Sequence, residues 1–327
     1  MSIKQFPGGI ITQNPTAPTT AAAKGIWTLA QASDFVKQGI WPRSPGTPTI
    51  GTATAVTYQT ATVTYTVPSD LGTGTVTYTA TSSPSGLTGT GASPITVSGL
   101  SASTSYTFTV TAATPGGTSA ASAASNSITT PAAPPTVIGQ AYGGGYYAGQ
   151  IGVSSVATHY IIVGPVASAQ STLQWKTSAT STAGTSSVID GPANSAAMND
   201  ASHPAAQFCE GLNIGSYTDW YMPAVNELEV CYYNLKPTTQ ANYTLSGINP
   251  NAVPARASNY TAGTPAQTTA ADFITGTGAQ AFFAGQYWAS TQISTPYGSA
   301  TYFPNGVQDT GNKTNSYRVR AVRRVAV

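Results

Sequence analysis

From Ser44 to Trp175 the chain carries a single formally charged side chain, Asp70. Such a stretch is kept in water by hydroxyls and amides. The same feature divides the rest of the sequence. The first 43 residues hold Lys4, Lys24, Lys37 and Arg43 against Asp34, whereas from Ala133 onward eight cations meet eight carboxylates. Three zones follow, 1–44, 45–132 and 133–327, in keeping with the two or three units that 327 residues suggest. Charged residues make up 7% of the chain and the net charge is only +2, so disorder of the whole chain, which goes with high net charge, is disfavoured. Twelve Lys and Arg spread over three zones supply no basic stripe for phosphates, and no nucleic-acid partner is expected.

Cys209 and Cys231 are the only cysteines, too few for a disulfide framework and without the spacing of zinc ligands. They read as two buried thiols, with a Cys209–Cys231 disulfide as the alternative in an oxidising medium. The N-terminus lacks the apolar run of a signal peptide and no stretch approaches a membrane span. Synthesis in a cytoplasm without export by that route, and no insertion into a membrane, are therefore expected.

Residues 1–25 read as an extended arm broken by Pro7-Gly8-Gly9, Asn14-Pro15 and Ala17-Pro18. Thr28-Leu29-Ala30-Gln31 fits a capping box that starts a short helix, which Gly39 would stop. Leu29, Ala32, Phe35 and Val36 share one of its faces. A helix this short is marginal alone, so Trp27, Phe35 and Trp41 are expected to bury against something else. That partner is either the neighbouring domain or a larger assembly into which the arm inserts. Pro7 to Thr12, Gly25 to Leu29, and Gln38-Gly39-Ile40-Trp41-Pro42 resemble a leader of phage virion structural proteins. The resemblance implies an anchor to other virion proteins, of capsid, neck or tail, with Phe6, Trp27, Leu29, Phe35 and Trp41 as its apolar contacts.

Between Pro45 and Pro131, Thr60-Ala61-Thr62-Val63-Thr64-Tyr65-Thr66-Val67 and Thr75-Val76-Thr77-Tyr78-Thr79 alternate with period two and are rich in β-branched residues, which predicts half-buried strands. Val63, Tyr65 and Val67 should point one way and the threonines the other. Leu100, six positions before Tyr106, with Phe108 and Val110 alternating behind it, resembles a fibronectin type III module. The resemblance implies an all-β sandwich in which Tyr106 hydrogen-bonds back across a strand corner. The usual core tryptophan is missing, and Val63 or Tyr65 would take its place. With one carboxylate and no cation, the module reads as a spacer.

After the stiff linker Pro131-Ala132-Ala133-Pro134-Pro135, the segments from Gly143 to Ile151 and from Tyr160 to Val163 read as paired strands. Pro204 to Leu212 and Pro223 to Asn234 read as helices, making an α+β unit. Asp219-Trp220-Tyr221-Met222-Pro223-Ala224-x-Asn226-Glu227-Leu228, Tyr287-Trp288-Ala289-Ser290-Thr291, Phe303-x-Asn305-Gly306 and Arg318-Val319-Arg320-Ala321-Val322-Arg323 together resemble the Lcl-type C-terminal domain family. That likeness implies a variant C-type lectin-like fold. Trp220 and Trp288 then read as core, and Glu227 as the internal partner of Arg318 or Arg320 or as a surface charge.

The segment Lys236 to Gln286 has little periodicity, and long irregular loops in compact domains tend to carry function. Tyr243, Asn251, Arg256, Asn259 and Tyr260 mix aromatic faces with amide and guanidinium donors, which suits stacking on sugars and bonding their hydroxyls. A plain covering loop is the alternative. The calcium signatures of C-type lectins are absent, and neither metal nor cofactor is expected. His159 and His203 are the only imidazoles. Asp200-Ala201-Ser202-His203 is weak evidence for a triad, which is a spatial arrangement. Glu227 and Glu229, two apart on a helix, point away from one another and cannot flank one glycosidic bond. The expected protein is not an enzyme. It is a virion-surface fibre, a homotrimer by expectation, anchored through residues 1–44 and binding a host-surface glycan or protein. A capsid-decorating or head fibre without a receptor is the alternative, and an enzyme that degrades envelope polysaccharide stands behind both.

Overall fold

A computed structural model describes residues 17–19, 27–39 and 41–327. Most of the predicted N-terminal arm, Phe6 included, lies outside the described residues. The chain divides between Ala133 and Pro134 into two compact units.

In the first unit, helix α1 (Leu29–Lys37) starts with the predicted capping box. The Gln31 amide N–H donates to Thr28 Oγ1 at 3.2 Å and the Thr28 N–H donates to Gln31 Oε1 at 2.9 Å. Gly39 follows at φ +72°, a left-handed conformation that ends the helix. No residue of α1 is buried, and Leu29 is 88% exposed. The aromatic residues around it pack on one another: the Trp27 ring lies edge-on to Phe35 at 5.1 Å and to Trp41 at 6.0 Å. From Arg43 the chain joins the sandwich, its N–H donating to Thr73 Oγ1 and its carbonyl accepting from Thr114 Oγ1.

The sandwich strands are β1 (Thr49–Thr57), β2 (Thr60–Thr66), β3 (Thr77–Ser83), β4 (Thr88–Thr90), β5 (Ile95–Ser98), β6 (Ser105–Thr114), β7 (Gly117–Thr118) and β8 (Ile128–Thr129). They form one sheet in the order β1-β2-β5 and another in the order β4-β3-β6-β7, with β8 also on β6. All pairings are antiparallel. This is the fibronectin type III arrangement. Ala61, Val63 and Tyr65 from β2 meet Phe108 and Val110 from β6, along with Ile95, Val97 and Leu100. Val63 and Tyr65, expected to take the place of the missing tryptophan, are both buried. Val67 does not join them. Strand β2 ends at Thr66, just before Pro68, so the alternation stops and Val67 is exposed. The tyrosine corner is formed: the Ser101 N–H donates to Tyr106 Oη at 3.0 Å. Tyr106→Phe leaves that N–H without its acceptor and should lower the sandwich's melting midpoint by about 5 °C, read by calorimetry.

The second unit contains β9 (Ala141–Tyr142), β10 (Gly145–Val153), β11 (Val156–Val163), α2 (Val166–Ala169), β12 (Gln170–Gln174), α3 (Gly191–Ala196), α4 (Pro204–Glu210), α5 (Val225–Leu235), β13 (Ala252–Val253), β14 (Gln286–Gln292), β15 (Tyr297–Tyr302), β16 (Val307–Asn312), β17 (Ser316–Arg320) and β18 (Val322–Ala326). One sheet runs β13-β10-β11-β18 with β9 beside β10, and the other runs β12-β17-β14-β15-β16. Helix α5 packs Leu228, Cys231, Tyr232 and Leu235 into a core shared with Ile151, Ile161, Tyr287 and Phe303. A second core gathers Trp175, Trp220 and Trp288 with Ala205 and Cys209 from α4. Trp220 and Trp288 are thus core, as expected. The two cysteines sit in separate cores, both buried and free, and burial pushes both thiols up.

Candidate functional site

Helix α5 carries two fully buried carboxylates that face different partners, as their spacing requires. Glu227 accepts from Tyr221 Oη at 2.6 Å, from the Ala224 N–H at 2.7 Å and from Arg324 Nε at 2.6 Å. The bond to Ala224 caps the helix N-terminus, and burial raises the carboxyl against the pull of Arg324. The expected partners Arg318 and Arg320 are elsewhere. Register decides this: on β18, Arg324 lies opposite Ile161 and faces Glu227, while its neighbour Arg323 turns the other way and grips Asp219 with two bonds of 2.8 Å. Arg320 is buried without a carboxylate, donating to Gly164 O and Gln280 O at 2.8 and 2.7 Å and resting 4.6 Å from the Phe282 ring. Burial brings it down to about 10.

Glu229 organises the loop. Its carboxylate accepts from Asn249 Nδ2 at 2.6 Å, from Tyr260 Oη at 2.7 Å and from Arg256 Nε at 3.1 Å, and Arg256 Nη2 also contacts it. Asn249 and Arg256 exchange backbone hydrogen bonds of 2.9 Å. The Arg256 guanidinium lies 4.0 Å from the centre of the Tyr233 ring. Burial beside Glu229 pushes the Tyr260 hydroxyl strongly up, keeping it a donor. Below this hub opens a cleft of about 200 Å³ lined by Tyr233, Arg256, Ser258, Asn259, Tyr260 and Thr264, among others.

Arg256, Asn259 and Tyr260 therefore meet at one cleft, with Arg256 and Tyr260 also engaged by Glu229. Asn251 is not part of it: its Oδ1 accepts from Asn226 Nδ2 at 2.8 Å and its Nδ2 donates to Gly152 O at 3.2 Å. Tyr243 stands outside the cleft on a braced loop. Its N–H donates to Asn305 O at 2.9 Å, and Ser246 Oγ accepts from the Gln308 N–H at 3.0 Å. The same loop exposes Leu245 (72%) and Ile248 (53%), which the sequence reading passed over. Their only signal is apolar side chains in a segment rich in Asn and Pro. The hub residues Glu229, Asn249 and Tyr233 were also missed, because their contacts span 20 or more positions.

His203 is buried. Its Nδ1 lies 2.9 Å from Asp200 Oδ1 and its Nε2 lies 2.8 Å from Thr182 Oγ1, which also accepts from Lys176 Nζ. Ser202 Oγ donates to the same Asp200 oxygen at 2.6 Å. These bonds tie the start of α4 to the 176–182 segment and form a structural knot. The Ser202 and His203 donors hold the exposed Asp200 carboxyl down at about 2. A carboxyl lowered in the folded state adds stability above its unfolded value near 3.8, and that contribution is lost as pH falls towards 2. Exposure limits it to a few tenths of a kcal/mol. Asp200→Asn should flatten the acid limb of thermal stability between pH 4 and 2. Among the described residues no group of three or more His, Cys, Asp or Glu gathers around a common point, and no helix is long and apolar enough to cross a membrane.

The strand order and the tyrosine corner define a multidomain chain with a fibronectin type III-like sandwich ahead of a lectin-like α+β module. Residues 164–323 match the family model of the Lcl C-terminal domain, so the second unit carries an Lcl-type domain. The match begins after the β10–β11 hairpin, which belongs to the same compact unit. Among solved structures, the chain is similar to titin domains A168–A170 (24% identity, 27% of this chain and 32% of that one, TM-score 0.25). It is also similar to titin kinase with its flanking domains (24% identity, 27% and 17%, TM-score 0.24) and to the FN5 domain of Drosophila Lar (25% identity, 27% and 99%, TM-score 0.22). The chain thus spans 32% and 17% of the two titin structures. No curated protein matches the chain.

Proposed function

We propose that this chain is a virion appendage protein: residues 1–44 anchor it to other virion proteins, the sandwich is a spacer, and the Lcl-type module binds a host-surface glycan. The observation that carries the reading is the braced loop of the C-terminal module. Its Asn249, Arg256 and Tyr260 side chains converge on the buried Glu229 and its backbone is tied by the Asn249–Arg256 and Tyr260–Ser246 bonds, yet Asn259 and its neighbours are presented outward around an open cleft. Fixing a loop before contact lowers the cost of binding. At the other end, α1 supports the anchor by exposing Leu29 beside the Trp27, Phe35 and Trp41 cluster, whose Trp27 Nε1 is buried without a partner. Phage origin rests on the leader motifs. Several linked copies, most simply a trimer, would turn weak individual contacts into firm attachment on the virion surface.

The test has two arms. Full-length protein should bind saturably to intact cells of at least one strain in a bacterial panel, with or without chelator. Deleting residues 1–43 should abolish incorporation into virions while cell binding persists. Incorporation with no binding to any strain would favour a capsid-decorating fibre instead.

A further inference from the structure

We infer that the Arg256–Asn259 cleft takes one uncharged sugar ring and rejects acidic sugars, an assignment that rests on the glycan-binding reading above. Three observations lead there. First, the cleft is electrically spent. Arg256 is its only formal charge, and both its Nε and its Nη2 are committed to Glu229, which is fully buried behind it. A carboxylate or sulfate entering here would give up its hydration without meeting an unpaired cation. A hydroxyl meets no such penalty.

Second, the exposed side chains of the cleft offer only neutral hydrogen-bonding groups. The Asn259 amide and the Ser258 and Thr264 hydroxyls are on exposed residues and make no hydrogen bond among the described residues. The backbone around Thr264 is nevertheless held. Thr261 and Thr264 exchange backbone bonds of 3.1 and 3.2 Å, Thr261 Oγ1 accepts from the Thr264 N–H at 3.0 Å, and Asn242 Nδ2 donates to Thr261 O at 3.1 Å and to Pro265 O at 2.8 Å. One amide with both a donor and an acceptor, plus two hydroxyls, matches the mixed donors and acceptors of a polyol.

Third, size and shape suit a single ring. About 200 Å³ is below the roughly 300–1,000 Å³ of sites for drug-sized molecules. The guanidinium stacked over Tyr233 at 4.0 Å gives one wall a flat face.

The experiment uses the full chain and saturation-transfer NMR. The probes are the methyl glycosides of glucose, galactose, rhamnose and N-acetylglucosamine, with glucuronic acid, N-acetylneuraminic acid and glucose 6-sulfate alongside. At least one neutral glycoside should bind, with the acidic sugars at least tenfold weaker. Asn259→Ala should weaken the neutral ligand about tenfold with unchanged melting. Thr264→Lys, which sets an unpaired cation on the rim, should gain glucuronic acid binding. Tighter binding of acidic sugars by the unaltered chain, or neutral binding that Asn259→Ala leaves untouched, overturns the assignment. So does a chain that adsorbs to cells but binds none of these sugars, with the host-binding reading left standing. A chain that binds neither cells nor sugars overturns both.

Discussion

Replacing Arg256 with methionine should destabilise the C-terminal module by about 3 kcal/mol, at the lower end of the range for breaking a buried ion pair from one side. The stem of the side chain is kept, so packing on Tyr233 is largely retained and the loss is electrostatic. Glu229 would then be a fully buried carboxylate left with Asn249 and Tyr260 as its donors. Two neutral hydrogen bonds do not offset the desolvation of an ion. Adding Glu229→Gln to the first change should recover about half of the loss, since the stranded charge is gone, the amide oxygen still accepts from Asn249 Nδ2, and the amide nitrogen can donate to a Tyr260 hydroxyl that turns to accept. Denaturant unfolding followed by the tryptophans of the second unit, Trp175, Trp220 and Trp288, reads this directly. A single variant within about 0.5 kcal/mol of the parent, the usual range of surface changes, would show that the Glu229 hub does not hold the loop.

Gly306→Ala should cost a similar amount by another route. Gly306 turns the β15–β16 hairpin at φ +74°, and a Cβ placed there would lie 2.2 Å from the ring of Tyr232. That ring cannot retreat easily. Its hydroxyl donates to Asn242 at 2.6 Å, and its faces meet Phe303 and Tyr260 at 5.6 and 5.5 Å. Overpacking a core costs about 1–3 kcal/mol and a left-handed non-glycine residue adds about 1 more. The variant should therefore melt well below the parent, and its Tyr232 ring resonances should shift. An unchanged melting temperature would mean that the turn can open without disturbing the core.

These residues also show what could be read in advance. The Tyr106 corner, the Thr28 capping box, the two helices around Cys209 and Cys231, and the buried Trp220 and Trp288 all depend on short-range patterns: a fixed offset, a period of two, a run with helical spacing. Each was legible because the determining contacts lie within one element or one turn. The exception among the strands, Val67, follows from a local stop at Pro68 that the alternation alone does not weigh. Pairings across the chain were not legible. Glu227 could be given an arginine partner, but choosing Arg324 over Arg318 or Arg320 requires the β11–β18 register, where a one-residue slip exchanges the faces. The same holds for the loop. Aromatic, amide and guanidinium groups marked the right region, and three of the five candidates share the cleft. That Arg256 and Tyr260 also brace it from behind depends on Glu229, some 27 and 31 positions away.

The sandwich has a property that follows from its one carboxylate, Asp70, which pairs with Arg43 at 3.2 Å on the surface. Dissolved ions act on a folded chain mainly by shielding its charges, and acid or alkali by titrating them. This module offers almost nothing for either to act on between about pH 5 and 9, since its remaining ionisable groups are tyrosines. Its melting curve should barely move as ionic strength rises from about 0.01 to about 0.15 M. A sandwich built this way is nearly indifferent to ionic strength, and leaves that sensitivity to the C-terminal module with its eight cations and eight carboxylates.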